Sequence, residues 1–354
     1  MRFEQRVLIF ASCEQLHDCP QLLTLVPSLL RAVRPISDIK ALSALRRIFR
    51  QTRPVIVHTH SGKAGILGRW AAQLEHVPII IHGIHGPSFG PWQSGLANFL
   101  LRLAEQRAGR ATTHFVAVAQ AMIDQYLAAG IGSPDLYTRI FSGFPLEPFL
   151  RAEPSEALRV KYGLRPGHFV IGKIARLAPL KGHEDLLPVA QGLAARHPNI
   201  RFLLVGGGPL EASFRARVHA GGLAEKFIFT GLVPPSEIPA LTGIMDALVH
   251  LSFREGLPRA LPQAMAAAKP VIAYDCDGAS EVCLEGETGF LVRPHDRPRL
   301  IEVITALATS AELRHQLGNQ GRAFVQDRFP VEKMVAAIDQ LYHRVLNGVC
   351  PKKG

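Results

Sequence analysis

Two segments in the second half of the chain combine basic side chains with glycines, as sites for phosphate-containing ligands do. Arg176 precedes Lys181-Gly182 by five residues, so a planar guanidinium and a compact ammonium could together clamp a diphosphate. Gly206-Gly207-Gly208-Pro209 would let a phosphate approach the backbone closely where a helix begins. Neither segment is decisive alone, because solvent-exposed charges and glycine turns are common and the glycine run lacks dinucleotide-binding spacing.

A third segment, Glu255-Gly256-Leu257-Pro258, adds a carboxylate. It follows the apolar stretch 246–251 and precedes alanine-rich sequence, which predicts a strand, a short loop and a helix beginning at Pro258. Backbone N–H groups at such a helix start can hold an anion, and Glu255 can accept hydrogen bonds from sugar hydroxyls. Gln263 would lie further along the helix. The segment by itself fits a ligand site and an ordinary strand-to-helix turn with a capping glutamate equally well.

Four histidines, His58, His60, His82 and His85, fall at the ends of predicted strands in the first half of the chain. A metal site would need three or four of them to converge, and no acidic residue accompanies them at ligand spacing, so the pattern disfavours a metal. His85, followed by Gly86, could donate a hydrogen bond to a substrate or be an ordinary half-buried histidine. The chain contains no G-x-S-x-G, which argues against a serine nucleophile.

The elements that must position these residues alternate between apolar strands and helical stretches. In chain order, the predicted elements of the first half are a strand at 6–10, a helix from Ser37, a strand at 54–58, a helix at 61–74, a strand at 77–81, a helix near 96–106 and a strand at 115–118. This order predicts parallel sheets covered by helices on both faces. Ligands of such sheets bind at the carboxyl ends of the strands, where the histidines fall.

A second alternation begins after the proline-containing stretch 145–154, which predicts a domain boundary. Its predicted strands are 169–173, 200–205, 227–229, 246–251 and 270–274. The sequence after Phe290 is mostly helical. We therefore expect an α/β protein with one domain at 1–147, a second at 148–330 and a C-terminal helix at 331–346.

The composition limits the class of protein. A chain of 354 residues with 47% hydrophobic residues is long enough for two buried cores. The formal net charge of +11 favours an acidic partner, which could be a phosphorylated substrate, an anionic lipid or a nucleic acid. The basic residues are dispersed and aromatic residues make up only 7% of the chain, so nucleic acid ranks last of the three.

Cysteine use and hydropathy bear on location. The five cysteines are Cys13, Cys19, Cys276, Cys283 and Cys350. They form no C-x-x-C pair and their number is odd, which indicates reduced thiols and a cytoplasmic protein. No secretion signal and no apolar run of about 18 residues is present, so we expect no membrane-spanning segment. A peripheral position on a membrane surface stays open.

Taken together, these segments resemble the retaining family-4 glycosyltransferases, also called glycosyl transferases group 1, which have the GT-B fold. The resemblance covers nearly the whole chain from His58 onward. Its most specific parts are Arg176 with Lys181-Gly182, Val205-Gly-Gly-Gly-Pro209, Glu255-Gly-Leu-Pro258, Gly278-Ala-Ser-Glu281 and Gly286-Glu-Thr-Gly-Phe-Leu-Val292. In the first half, His58-Thr-His-Ser-Gly-Lys-Ala-Gly65 and His82-Gly-Ile-His-Gly86 look like acceptor-side loops of members that build bacterial surface polysaccharides.

The resemblance implies two Rossmann-like domains facing across a cleft, with the nucleotide-sugar on the C-terminal one and the last helix crossing back to the first. It implies the following roles: His85, Arg176, Lys181 and Glu255 as catalytic residues; Gly207, Gly208, Gly256, Leu257 and Gln263 as donor-binding residues; His60, Ser61 and Lys63 on the acceptor side. No metal and no cofactor is expected, because fixed cations would stabilise the leaving diphosphate.

The implied activity is the retaining transfer of a hexose from a nucleotide-sugar. The resemblance favours UDP as the nucleotide of this donor. The acceptor would be a lipid-linked or polysaccharide intermediate of the cell envelope. The enzyme would work in the cytoplasm, peripherally on the inner face of the plasma membrane, where its positive charge favours anionic lipid.

Three features depart from the family pattern. The family has Glu where this chain has Gln263, so nucleotide binding should be weaker, since an amide carries no charge. Pro262 should remove a hydrogen bond inside the helix and bend it. Met1 begins beyond the family's first strand and glycine-rich loop, which predicts a truncated, incomplete N-terminal domain. These departures support an alternative function, that of a non-catalytic homologue that binds a nucleotide-sugar or a partner protein.

Overall fold

The computed structural model describes residues 7–9, 23–30 and 32–349. The chain divides into two compact units. Unit 1 is made of residues 1–118, 122–139 and 339–354, and unit 2 of residues 119–121 and 140–338. Each contains a parallel sheet with helices between the strands. The prediction of two Rossmann-like α/β domains is confirmed.

Unit 1 is built on a four-stranded parallel sheet. Its strands are β3 (Ile56–His60), β4 (Ile79–Ile84), β5 (His114–Ala117) and β6 (Tyr137–Arg139), in the order β3-β4-β5-β6; β1 (Val7–Ile9) and β2 (Leu23–Leu25) form a separate parallel pair. The helices between them are α1 (Pro35–Thr52), α2 (Gly62–Leu74), α3 (Gly95–Gly109) and α4 (Gln120–Ala128). All six residues of β4 are buried, which explains its uniformly apolar start.

A buried ion pair joins two of these helices. Arg69 of α2 and Glu105 of α3 lie 2.5 Å apart, and both side chains are fully buried. Arg69 also donates from Nε to the carbonyl oxygen of Gly65 at 3.0 Å. Removing either partner would leave an unpaired buried charge, which typically costs about 3–5 kcal/mol. The pair therefore fixes the middle of α2 against α3.

Unit 2 contains a six-stranded parallel sheet. Its strands are β7 (Phe169–Ile174), β8 (Ile200–Val205), β9 (Phe227–Gly231), β10 (Ala247–His250), β11 (Val271–Tyr274) and β12 (Gly289–Val292), in the order β12-β11-β10-β7-β8-β9. The helices are α5 (Glu147–Leu150), α6 (Glu156–Lys161), α7 (Leu186–Ala194), α8 (Glu211–Ala220), α9 (Ile238–Gly243), α10 (Ala260–Ala266), α11 (Arg297–Thr309) and α12 (Ala311–Arg328). The last helix, α13 (Val331–Val349), belongs to unit 2 as far as residue 338 and to unit 1 from residue 339.

The strand order of unit 2 reverses direction between β7 and β10. Strands β8 and β9 extend the sheet on one side of β7, and β10, β11 and β12 extend it on the other. At such a switch point the connections leave the sheet on opposite faces, and a crevice opens at the carboxyl ends of the two central strands. The loops that follow β7 and β10 therefore form the expected ligand-binding edge.

The two cysteines that the structure describes are not placed for nucleophilic chemistry. Cys13, Cys19 and Cys350 lie outside the described residues, and Cys276 and Cys283 are free thiols. Burial raises the pKa of both described thiols, that of Cys276 to about 12, so neither is a thiolate near neutral pH. Among the helices that the structure describes, none combines the length and apolar character needed to cross a bilayer.

Candidate functional site

The loops after β7 and β10 bring the predicted basic and acidic residues together. Lys181, in the loop after β7, forms an ion pair with Glu255, in the loop after β10. Lys181 Nζ also lies 3.4 Å from Ser252 Oγ. The side chains of Lys181 and Glu255 are 26% and 25% exposed, so both are reachable from solvent. Two residues that are 74 positions apart in the chain thus form one charged pair.

The carboxyl group of Glu255 is ionised over the whole physiological range. Burial alone would raise its pKa, but His250 and Lys181 together outweigh burial and lower it to about 2. His250, at the end of β10, is buried, and its Nε2 atom lies 3.6 Å from Glu255 Oε1. The loop therefore presents a permanent negative charge that can accept hydrogen bonds.

Asp277 and Gly278 fix the backbone that carries Glu255. The Glu255 N–H donates to Asp277 Oδ2 at 2.8 Å, and the Gly278 N–H donates to the Gly256 carbonyl oxygen at 3.2 Å. A Cβ atom on Gly278 would lie 2.2 Å from that oxygen, so only glycine permits the contact. Within the described chain, no acceptor takes up the amides of Gly256 and Leu257. Both amides therefore remain available to a ligand.

The loop after β7 is held against β10 by Gly182. Its φ angle is +63°, and a Cβ atom there would lie 1.9 Å from the carbonyl oxygen of Leu251. Leu180, two residues earlier, also has a positive φ of 67°, and its carbonyl oxygen accepts a hydrogen bond from the Phe253 N–H at 2.9 Å. A left-handed residue other than glycine is strained, so the surrounding hydrogen bonds must maintain this conformation beside Lys181.

The glycine run at 206–208 packs against the segment that carries Arg176. The Leu177 N–H donates to the Gly207 carbonyl oxygen at 3.1 Å, and the Leu210 N–H donates back to the Leu177 carbonyl oxygen at 3.0 Å. A Cβ atom on Gly208 would lie 2.3 Å from the same Leu177 oxygen. Arg176 itself is exposed, and it has no ion pair or hydrogen bond with any residue that the structure describes. Its guanidinium is therefore free to meet an anion.

The helix after Glu255 begins later than Pro258. Helix α10 starts at Ala260, with Arg259 as its N-cap, and the Leu261 N–H donates to the Pro258 carbonyl oxygen at 3.2 Å. Pro262 is consequently the third helical residue, where a backbone N–H has no intrahelical partner in any case. The prediction that Pro262 removes a helical hydrogen bond was wrong. Gln263 is half-buried in the first turn of this helix.

Two further buried side chains lie beneath the charged pair, and the sequence analysis did not single them out. Lys173 is the fifth residue of β7 and is 1% exposed; His183 precedes α7 and is also 1% exposed. Within the described residues, Lys173 Nζ and both ring nitrogens of His183 have no hydrogen-bond partner. A lysine inside the apolar stretch Phe-Val-Ile-Gly-Lys-Ile was the available signal, since strands covered on both faces rarely contain one.

In unit 1, three of the four histidines form a connected row at the ends of β3 and β4. His60 Nδ1 lies 2.8 Å from His85 Nε2, the rings of His58 and His60 stack with centroids 4.4 Å apart, and His58 Nδ1 lies 2.8 Å from the Tyr342 hydroxyl. Burial, with the neighbouring histidines, lowers the pKa of His58 to about 3, and burial lowers that of His85. Uncharged rings can exchange one hydrogen bond, so His60 orients His85.

The fourth histidine is a core residue. His82 is 1% exposed, and its Nδ1 atom lies 2.9 Å from Thr59 Oγ1. A Cβ atom on Gly65 of α2 would lie 2.4 Å from the His82 ring, so helix and ring are in close contact. Among the described residues, no group of three or more His, Cys, Asp or Glu side chains is placed to hold a metal ion.

The two remaining residues predicted for the acceptor side differ in their surroundings. Ser61 is exposed and has φ 67° and ψ 162°, a conformation that residues other than glycine rarely adopt and that recurs at functional sites. Lys63 is engaged within the protein: its Nζ lies 2.5 Å from Asp38 Oδ1 and donates to the Ala32 carbonyl oxygen at 2.6 Å. Lys63 thus anchors the start of α1 beside the start of α2.

The edge of unit 2 is suited to a ligand that carries both negative charge and hydroxyl groups. Arg176 and Lys181 supply cations, Glu255 supplies an ionised acceptor, and the Gly256 and Leu257 amides supply donors. No thiolate or serine–histidine pair accompanies them within the described part of the unit. The arrangement can stabilise charge on a departing diphosphate while holding a polyhydroxylated group beside it.

Two family models match successive parts of the chain. Residues 154–324 match the model of the glycosyl transferases group 1 family, and residues 2–140 match the model of the glycosyl transferase 4-like domain. The chain is 27% identical over 321 residues to UDP-Gal:alpha-D-GlcNAc-diphosphoundecaprenol alpha-1,3-galactosyltransferase of Escherichia coli, covering 90% of this chain and 82% of the relative. It is 25% identical to the capsular polysaccharide biosynthesis glycosyltransferase CapM of Staphylococcus aureus, covering 89% and 83%.

Solved structures share the fold. Anabaena Alr3699/HepE in complex with UDP and glucose superposes with a TM-score of 0.78 at 22% identity, covering 92% of this chain and 88% of that one. Sucrose-phosphate synthase from Thermosynechococcus elongatus superposes with a TM-score of 0.79 at 21% identity, covering 92% and 84%. At these identities the likeness establishes the fold of the chain.

Proposed function

Because the chain belongs to the group 1 glycosyl transferases, which have the GT-B fold, we propose that it transfers a sugar from a UDP-sugar to a lipid-linked or polysaccharide acceptor. The transfer retains the configuration of the sugar and serves cell-envelope glycan synthesis. The observation that carries the proposal is the Lys181–Glu255 pair at the switch point of unit 2. It places a cation for a diphosphate next to a carboxylate for sugar hydroxyls.

The donor half of the reaction takes place on unit 2. Arg176 and Lys181 neutralise the diphosphate as the bond between the anomeric carbon and the diphosphate oxygen breaks. The amides of Gly256 and Leu257, which no described residue engages, donate to the same group. Glu255 accepts hydrogen bonds from sugar hydroxyls, and Gln263 accepts one from the ribose through its amide oxygen. Gly207 and Gly208 keep the backbone near the phosphates free of side chains.

The acceptor hydroxyl attacks from the side on which the diphosphate leaves. Its oxygen bonds to the anomeric carbon, and its proton passes to the departing diphosphate, so charge and atoms balance without a nucleophile from the protein. Positive charge develops on the sugar in this step, and the ionised Glu255 stabilises it. No metal ion and no cofactor takes part in this scheme. On unit 1, His85 is oriented by His60, and Ser61 and Lys63 border the acceptor.

The choice of donor and acceptor is supported by the relatives. The Escherichia coli relative is named for UDP-Gal and for a GlcNAc-diphosphoundecaprenol acceptor, and the Staphylococcus aureus relative for capsular polysaccharide biosynthesis. The Anabaena structure holds UDP and glucose. A lipid-linked acceptor would place this enzyme at the cytoplasmic face of the plasma membrane.

Unit 1 has an exposed apolar surface suited to that location. Leu96, Phe99 and Leu100, at the start of α3, are 71%, 61% and 52% exposed. The spacing i, i+3, i+4 puts them on one side of the helix. An apolar helix surface on a protein with a net charge of +11 favours peripheral binding to anionic lipid.

The test of the function is transfer of labelled sugar from UDP-galactose, UDP-glucose and UDP-N-acetylglucosamine into a lipid extract of bacterial membranes. Lys181→Met and Glu255→Gln should each reduce turnover by about 10²–10³, the usual loss when a preorganised electrostatic group is removed. Both variants should still fold, because the two side chains are partly exposed.

Lys333→Met is a matched control, since it removes an ion pair with Asp327, 2.9 Å long, between exposed side chains of unit 2. It should leave turnover unchanged. Equal turnover in the wild type, Lys181→Met and Glu255→Gln would contradict the site. UDP binding without transfer from any UDP-sugar would favour the non-catalytic homologue.

A further inference from the structure

The side-chain amine of Lys173 is buried without a hydrogen-bond acceptor among the described residues. Its side chain is 1% exposed, and within the described chain its Nζ atom has no hydrogen-bond partner. An unpaired buried charge is strongly unfavourable, so such a lysine tends to be neutral unless a negative charge arrives. The amine is therefore poised to respond to the occupancy of the adjacent charged site.

The titratable groups around Lys173 come from three elements. They are Lys181 from the loop after β7, His250 and Glu255 from β10 and its loop, and His183, Glu184 and Asp185 from the segment before α7. Burial, followed by repulsion from Lys181, lowers the pKa of Lys173 to about 7, although Glu255, Glu184 and Asp185 act in the opposite direction.

Two of the three nearby carboxylates already have other partners, and the third, Glu184, is exposed to solvent. Glu255 is paired with Lys181. Asp185 accepts hydrogen bonds from the Tyr274 hydroxyl at 2.7 Å and from Arg297 Nε at 2.9 Å. The pKa of His250 is lowered by burial and that of His183 falls to about 3, so neither histidine competes for a proton near neutral pH. The charge of Lys173, by contrast, can change there.

We propose that Lys173 is a third positive charge of the donor site, which it acquires by taking a proton from solvent when the donor's diphosphate binds at Lys181. The inference rests on the proposed donor site. A bound dianion cancels the repulsion between Lys181 and Lys173, and a nearby opposite charge favours the protonated amine. The added charge stabilises the diphosphate both in the donor and as the leaving group, and the proton returns to solvent when the nucleotide departs.

Proton uptake determines how the affinity for UDP changes with pH. Because binding takes up a proton, the affinity for UDP should fall as the pH rises above about 7, by at most tenfold per pH unit, the limit for one proton. The fall should level off once the pH exceeds the pKa of Lys173 in the complex. An uptake of protons by the protein is not expected if Arg176 and Lys181 alone hold the diphosphate.

The experiment is calorimetric titration of UDP into the wild type and Lys173→Met at about pH 8, where the terminal phosphate of UDP is already ionised. Each titration is repeated in two buffers of different ionisation enthalpy, so that the difference in heat counts the protons taken up. Lys269→Met is the matched control: Lys269 is half-buried and has a lowered pKa, but its Nζ donates to the Gly243 carbonyl oxygen at 2.9 Å.

Proton uptake in the wild type and Lys269→Met, and none in Lys173→Met, is the expected result. Identical heats in both buffers for the wild type, or undiminished uptake in Lys173→Met, would overturn the inference while leaving the donor site intact. Absence of UDP binding in every variant refutes the proposed donor site itself, and this inference with it. If Lys173→Met does not fold, a pH-independent wild-type affinity between about pH 7 and pH 9 decides against the inference.

Discussion

The main-chain N–H of Glu255 donates a hydrogen bond to the side chain of Asp277 at 2.8 Å. Asp277 has a φ of +49°, in the left-handed region, at the start of the turn Asp277–Glu281. The turn is itself anchored, because Glu281 Oε1 accepts a hydrogen bond from the Ala121 N–H at 3.0 Å. A second carboxylate, which the motif search did not single out, therefore sets the position of the one that faces the donor.

Asp277→Ala should lower turnover about tenfold, since one hydrogen bond to a charged group is worth roughly 1.5 kcal/mol and its loss lets the Glu255 loop relax. Asp277→Asn should retain most activity, because asparagine keeps an acceptor oxygen and tolerates the left-handed conformation. Steady-state kinetics with the best UDP-sugar measure the effect. If Asp277→Asn is as impaired as Asp277→Ala, the negative charge matters more than the hydrogen bond.

Gly208→Ala should destabilise unit 2 and weaken UDP binding together. Its Cβ atom would lie 2.3 Å from the Leu177 carbonyl oxygen, which is backbone and cannot rotate away, so the segment bearing Arg176 must shift. At Gly207 the nearest atom is the flexible Glu211 side chain, at 3.3 Å, so Gly207→Ala should cost little stability. Thermal unfolding with and without UDP compares the two. Equal stability of both variants would show that the two loops do not depend on this contact.

The protein should lose stability as the pH falls from about 6.5 towards 3, partly through His183. Its native pKa is about 3, below the unfolded value of about 6.5, because the imidazole is buried near Lys173 and Lys181. Between these two pH values His183 is protonated in the unfolded state and neutral in the native state, so acid favours unfolding. His183→Leu removes this proton-binding site, so the stability of the variant should fall less steeply with decreasing pH. Unfolding midpoints at about pH 6.5 and pH 4.5 test this; parallel declines would exclude His183 as a contributor.

Anionic vesicles should bind the wild type through the start of α3. Replacing Phe99 and Leu100 with serine removes two of the three exposed apolar side chains and should weaken vesicle binding at least tenfold, since burial of a large apolar side chain is worth about 1.5–3 kcal/mol. Turnover with a water-soluble acceptor should not change. Leu232→Ser is the control, because Leu232 is 89% exposed in unit 2. Unchanged sedimentation of the double variant with vesicles would exclude this helix.

Much of the architecture could be predicted because local periodicity reports burial. Mostly apolar stretches predicted β7, β8 and β11 to within about two residues, since a strand covered on both faces contains few polar residues. The start of α10 was placed two residues too early, at Pro258 instead of Ala260. Pro258 is favourable at a first helical position, but a turn closed by the Leu261 N–H and the Pro258 carbonyl oxygen precedes the helix. The loop before this turn contacts Gly278 through Gly256, and that contact joins residues far apart in the chain.

The sequence by itself determined the chemistry that is available: two cations five residues apart, a glutamate before Gly256, and glycines where backbone segments must touch. These patterns are local, so composition and spacing reveal them. Only the tertiary structure decided which groups meet. The pairing of Lys181 with Glu255, the brace from Asp277 and the isolation of Lys173 depend on β7 and β10 being neighbours, and strand order is a property of the whole sheet. The charge state of Lys173 depends on burial, which packing creates and no single segment encodes.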